Sequence, residues 1–274
     1  MMYIAQVRSA NVIPKLLEHI FIVLGVGWSR SPFDLTPWEF DEYDVSGFDI
    51  TSDVAFQLLA AHLYWRCLRN TPSLVRIWWA ECKSRQLTLA VESYTERFFS
   101  PILIRTEVKS VQRMNKSDLE ETTVRINKAG NEVSAVFTVE EAVLEMVIRL
   151  PSNFPLRHVE VDSGSGAGST AAGGRAAGIS ESRWRAWLLS ASAVIVSQNG
   201  SIADAVKLYA KNITLHFEGV EDCAICYSVI GAIDRTLPTK QCKTCKHKFH
   251  SSCLFKWFRT SNQSTCPLCR QPTF

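Results

Sequence analysis

Seven of the chain's nine cysteines fall in its last 52 residues, and their spacing constrains the fold more than any other feature. From Cys223 the candidate ligands run Cys-x2-Cys, Cys242-x2-Cys245, His250-x2-Cys253 and Cys266-x2-Cys269. A Cys-x2-Cys hook presents two sulfurs from one tight turn, which suits a tetrahedral zinc ion. Eight ligands make two four-coordinate sites with no open position, so two structural Zn2+ ions are expected. In a series of four ligand pairs, alternate pairs can share a metal. Cys223, Cys226, His250 and Cys253 would then hold the first zinc, and Cys242, Cys245, Cys266 and Cys269 the second. Each zinc can supply ~10 kcal/mol or more of folding free energy to a segment too small for a self-sufficient core.

The stretch CKTCKHKFHSSC, residues 242–253, offers one ligand too many. Using His247 with Cys245 gives a two-histidine pattern and leaves Cys242 free; using Cys242 with Cys245 leaves His247 free. The all-cysteine second site is favoured. Its hook forms a compact knuckle, and the flanking Lys240, Lys243, Lys246 and Lys248 suit a site of net negative charge.

A disulfide framework is the competing use of so many cysteines. Met1-Met2-Tyr3 opens no secretory signal, so a reducing compartment is expected, where such hooks more often bind metal. The longest apolar run, residues 20–26, is far short of a bilayer span, and no membrane partner is expected. Residues 223–274 carry eight Lys or Arg against Asp234 alone, a charge of +7, while the preceding 222 residues carry −4. The zinc segment is therefore a basic module, either a solvated face or a nucleic-acid patch.

Upstream, apolar residues recur with helical period in VIPKLLEHIFIVL, DVAFQLLAAHLYWRCLR and PSLVRIWWAECKSRQLTLAVESYTERFF, with an acidic and aromatic loop, SPFDLTPWEFDEYD, between the first two. Their Trp and Leu stripes are expected in the core. From Thr122 the pattern becomes alternating runs, TTVRINK, EVSAVFTVE and EAVLEMVIRL, which predict an antiparallel meander continuing through PSNFPLRHVEV. DSGSGAGSTAAGGRAAGIS holds six of the thirteen glycines and is expected to be a flexible surface loop. Two helices follow, SRWRAWLLSASAVIVSQ, stopped by Asn199-Gly200, and SIADAVKLYAKNITLHF, capped by Ser201 and stopped near Gly219. A sheet followed by helices predicts an α+β unit.

The interleaved ligands resemble the cross-brace of RING and PHD fingers. A PHD finger carries an aromatic residue two before its seventh ligand, where Ser264 stands, and a reader of basic tails needs acids that this module lacks. What matches is the RING surface. Ile225, Trp257, Pro267 and Leu268 would form a shallow apolar groove for a ubiquitin-conjugating enzyme. Arg270, directly after the eighth ligand, would bridge that enzyme and its ubiquitin as a catalytic linchpin.

The runs EGVEDCAICYSVI and LPTKQCKTCKHKFHSSCLFKWFRTSNQSTCPLCR resemble the RING of the listerin family, ubiquitin ligases of ribosome-associated quality control. VEEAVLEMVIRLPSNFPLRHVEV, SRWRAWLL and QNGSI are similar to that family's RWD domain. The resemblance implies a HEAT-like helical region over 1–115, an RWD-like α+β domain over 116–218 and a RING-type zinc finger over 219–274, in a chain expected to be the carboxy-terminal part of a longer protein. It also implies a RING-type ubiquitin transferase without a covalent ubiquitin intermediate. The implied partners are a conjugating enzyme, ubiquitin, the large ribosomal subunit with its quality-control companions, and a stalled nascent chain as substrate, all in the cytoplasm on the ribosome. The competing expectation is a zinc-stapled nucleic-acid or histone-binding module without ligase activity.

Overall fold

The computed structural model describes residues 12–28, 31–164 and 177–272. Helix α1 (Val12–Leu24) buries Leu17, Ile20, Phe21 and Leu24, one stripe at helical spacing. The stripe faces α2 (Asp53–Asn70) and α3 (Pro72–Glu81), where the Phe21 ring meets Tyr64 and Trp78 at 4.9 and 5.4 Å. The acidic and aromatic loop before α2 is held by local chemistry. Asp34, Asp44 and Asp49 each accept the backbone N–H and hydroxyl two residues on, from Thr36, Ser46 and Thr51. Phe40 anchors the loop in the core against Phe99.

The helical pattern of 72–99 is interrupted. α3 ends at Glu81, and Ser84 re-caps the chain by accepting the Leu87 N–H, which starts α4 (Arg85–Tyr94). A π turn, Thr95–Phe99, leads into α5 (Ser100–Gln112). Pro101 has no N–H to give to the preceding turn, and the ladder widens there. A short α6 (Lys116–Leu119) closes the helical region.

The meander forms as the alternation predicts. β1 (Thr123–Ile126), β2 (Glu132–Val139), β3 (Ala142–Arg149) and β4 (Glu160–Ser163) make an antiparallel sheet in sequence order. Val133, Ala135, Phe137, Leu144, Met146 and Ile148 are all buried. PSNFPLRHVEV contributes less strand than its sequence suggests. Residues 152–156 form turns and only its end joins β4, because Pro151 and Pro155 lack the amide donors that a ladder needs. Most of the glycine-rich segment, 165–176, lies outside the described residues.

α7 (Glu181–Val196) and α8 (Ile202–Phe217) cover the sheet. α8 opens with a capping box between Ser201 and Asp204, and Gly219 takes a left-handed φ of +69° just past its end. Phe217 stacks on Phe137 at 5.6 Å, and the Trp184 indole N–H donates to Ser163 Oγ at 2.7 Å.

The helical region and the sheet share one apolar cluster, running from Ile13 to Ile230. Polar groups stitch the seam. Buried Arg76 donates to the carbonyls of Pro155 (2.9 Å) and Val196 (2.5 Å), Ser73 N–H donates to Asn199 Oδ1, and Ile202 N–H donates to Glu107 Oε2. The zinc segment adds a two-stranded ribbon, β5 (Lys240–Gln241) and β6 (Lys248–Phe249), then α9 (Ser251–Ser261). Its own small core is built on Cys223, Cys242, Phe249, Leu254 and Cys266. Among the described residues, no helix is long and apolar enough to cross a membrane.

Candidate metal centres

The eight ligands fall into two groups. Cys223, Cys226, His250 and Cys253 form one, Cys242, Cys245, Cys266 and Cys269 the other, and within each group the ligand atoms lie within 4.8 Å of one another. A tetrahedral zinc with ~2.3 Å bonds to sulfur has edges of about 3.8 Å. The Cys242–Cys269 and Cys245–Cys266 sulfurs stand 3.8 and 3.7 Å apart, and Cys253 Sγ stands 3.8 Å from His250 Nδ1. Both groups therefore fit zinc. His250 turns Nδ1 toward the sulfurs, while its Nε2 lies 3.1 Å from the Val229 carbonyl, a bond that fixes the ring as ligand-orienting contacts do.

The knuckles explain why the hooks hold this shape. In each, the first cysteine's carbonyl accepts an N–H from four residues on: Tyr227 to Cys223 (2.7 Å), Lys246 to Cys242 (3.0 Å) and Arg270 to Cys266 (3.0 Å). The same cysteine donates its own N–H to the next carbonyl, of Ser228, His247 and Gln271 respectively. Tyr227, Lys246 and Arg270 all have left-handed φ, between 57° and 66°. The repeat also shows what His247 does. It closes the second knuckle with its backbone, and its side chain is exposed and outside both ligand groups.

Backbone amides aimed at sulfur prepare the ligands for metal. The amide of Cys245 foremost draws the Cys242 thiol down to about 6. Against burial, the amides of Cys226, His250 and Ile225 hold Cys223 below the usual thiol range. Burial and the neighbouring sulfurs push Cys253 up to about 12. Each group thus mixes sulfurs that give up a proton readily with sulfurs that hold it, and a divalent ion bound among them would displace the remaining thiol protons.

Comparison with known proteins agrees with this layout. Residues 1–112 match the LTN1 family HEAT repeat region, 122–216 the ubiquitin conjugating domain-like family, and 221–270 the Ring finger domain. The chain is 40% identical to the Schizosaccharomyces pombe protein named E3 ubiquitin-protein ligase listerin, over 97% of this chain and 16% of that one. It is 35% identical to the Saccharomyces cerevisiae protein of that name, over 98% of this chain and 17% of the relative. The mouse protein of that name is 36% identical over all of this chain and 15% of its own length.

The chain belongs to the listerin family. It spans about a sixth of the length of the listerins it matches. Residues 122–216 of this listerin-family chain, although similar to ubiquitin-conjugating domains, contain no cysteine to carry a ubiquitin thioester.

The apolar residues singled out in the sequence lie on the zinc module with unequal exposure. Leu268 is 46% exposed, Pro267 and Trp257 are half-buried, and Ile225 packs partly against the module's own core. The Trp257 indole N–H donates to the Thr265 carbonyl at 3.2 Å, which ties α9 to the loop bearing Pro267 and Leu268. Arg270 is exposed, and its backbone is fixed by the third knuckle and by the Thr265–Pro272 bridge. Sequence reasoning passed over three large exposed side chains on this module, Tyr227 (79%), Ile233 (78%) and Phe255 (72%); an isolated apolar residue carries no spacing signal.

Proposed function

We propose that this chain is a RING-type ubiquitin ligase that holds a ubiquitin-charged conjugating enzyme beside a substrate lysine and forms no covalent intermediate. Catalysis is then positioning. The observation that carries the reading is the interleaved pair of four-ligand groups, which brings Trp257, Pro267 and Leu268 onto one module whose linking loop is tied to α9. Ile225 and these three residues form the groove for the conjugating enzyme. The planar fork of Arg270 bonds both that enzyme and ubiquitin, aligning the thioester for attack.

The finer reading follows from family membership. The substrates are nascent chains stalled on large ribosomal subunits, the RWD-like domain with its companions docks the ligase there, and the setting is the cytoplasm. Discharge of a ubiquitin-charged conjugating enzyme onto free lysine tests the ligase reading. Acceleration by the zinc-loaded chain, abolished by chelation, is the expected result. No acceleration with any of a panel of conjugating enzymes would leave a zinc-stapled binding module instead.

A further inference from the structure

β2 and β3 are joined by a two-residue turn, Glu140-Glu141, because Val139 pairs with Ala142. Glu140 has a φ of +50°, a conformation that turns usually assign to Gly, Asn or Asp. Glutamate gains nothing locally from that strain. Its carboxylate, however, reaches 89 and 90 residues along the chain and accepts two successive backbone N–H groups of the zinc module, Val229 to Oε1 at 2.6 Å and Ile230 to Oε2 at 3.1 Å. Ile230 is 4% exposed and belongs to the apolar cluster of the helices and sheet. The carbonyl of Val229 in turn faces His250 Nε2 at 3.1 Å. One residue therefore connects a turn of the middle domain to a ligand of the first zinc. Close by, Gly178 lies so near the same module that an added Cβ would stand 3.1 Å from Leu237 Cγ and 3.2 Å from the Arg235 carbonyl.

We propose that Glu140 is a positioning residue that clamps the first-zinc loop to the middle domain, so that the groove for the conjugating enzyme points in one fixed direction. A strained residue that persists where glycine would fit signals a task beyond the turn. Two N–H groups in a row, captured by both oxygens of one carboxylate, define an orientation as well as an attachment. The direction of presentation matters only under the ligase reading above, but the clamp itself can be measured without any ubiquitin transfer.

Glu140→Gly relieves the turn and removes the carboxylate, so it separates the two roles. In the full zinc-loaded chain, residual dipolar couplings of backbone amides in 122–216 and 223–270 are expected to fit one common alignment. In Glu140→Gly, with two zincs retained and the sheet intact, the couplings of 223–270 should no longer fit that alignment and should shrink. After exchange of zinc for cadmium-113, the resonance of the His250-containing site should move while that of the all-cysteine site stays. Glu140→Asp, one methylene short, should behave like glycine. Couplings that still fit one alignment in Glu140→Gly would overturn the proposal, as would loss of a zinc, which would make the carboxylate a support of the metal site alone. Failure of the discharge assay in the parent chain, with the couplings behaving as stated, would remove the ligase reading and leave the clamp standing.

Discussion

The indole N–H of Trp257 donates to the carbonyl of Thr265 at 3.2 Å, so the largest side chain of α9 is fastened to the loop of the second zinc. Trp257→Ala should remove groove surface and loosen this loop together. Binding of the uncharged conjugating enzyme and discharge are expected to fall in parallel, with Ile225→Ala behaving likewise. Titration of the enzyme, followed by discharge at saturating ligase, separates the two quantities; retained affinity would take Trp257 out of the groove.

Arg270 should behave differently, because its backbone is held by Cys266 while its side chain is exposed. Arg270→Ala is expected to keep both zincs and nearly all affinity for the uncharged enzyme. Hydrogen bonds from a charged donor are worth ~1.5–3 kcal/mol, so losing them in the reactive conformation should slow discharge by roughly 10- to 100-fold. Parent-like single-turnover rates at saturation would show that this arginine has no part in transfer.

The second knuckle distinguishes side chain from backbone. His247→Ala keeps the carbonyl that accepts from Cys242 and should retain two zincs per chain, whereas Cys242→Ala should lose or weaken the second. Metal analysis after dialysis decides, and the reverse outcome would move His247 into the ligand set.

Lys246 occupies a left-handed conformation that costs a side-chain-bearing residue ~1–2 kcal/mol. Lys246→Gly removes that strain but adds chain entropy of ~0.5–1 kcal/mol to the unfolded state. The expected result is zinc loss to a chelator that is slower by up to several-fold, and faster loss would mean that the lysine charge outweighs the strain.

Arg76 is buried at the seam and serves two carbonyls on separate segments. Burial lowers its pKa to about 10, which leaves it charged at neutral pH. Arg76→Ala abandons both acceptors and should cost ~2–4 kcal/mol of stability. Lysine should restore little, since one ammonium lacks the fork that spans both oxygens. Denaturant midpoints measure this, and an unchanged midpoint for alanine would refute it.

Burial raises the pKa of Glu107 even as it accepts the Ile202 N–H. A raised folded value means that its contribution to stability is complete below the ordinary glutamate pKa of ~4.3 and is lost as pH rises through the folded value. Glu107→Gln keeps an oxygen acceptor without the charge. Its thermal midpoint relative to the parent should therefore climb with pH across that window, measured with zinc in excess, and a pH-independent difference would contradict the sign.

The sequence by itself determined the ligand set, the meander and most helix limits, because each rests on short-range geometry. A Cys-x2-Cys hook builds its knuckle within six residues, alternation in EVSAVFTVE sets the faces of β2, and Ser201 caps α8 from three residues away, whereas the break and new cap at Ser84 lie hidden inside a continuous helical period. Tertiary structure decided what sequence spacing could not register. The turn residue Glu140 looks like solvated charge until Val229 and Ile230 arrive from 89 and 90 residues away. Arg76 sits in an apolar helix stripe where its charge has no visible partner, since its acceptors are carbonyls, which every residue possesses and none advertises. Backbone acceptors carry no side-chain identity, so contacts made to them become legible only when the chain has folded.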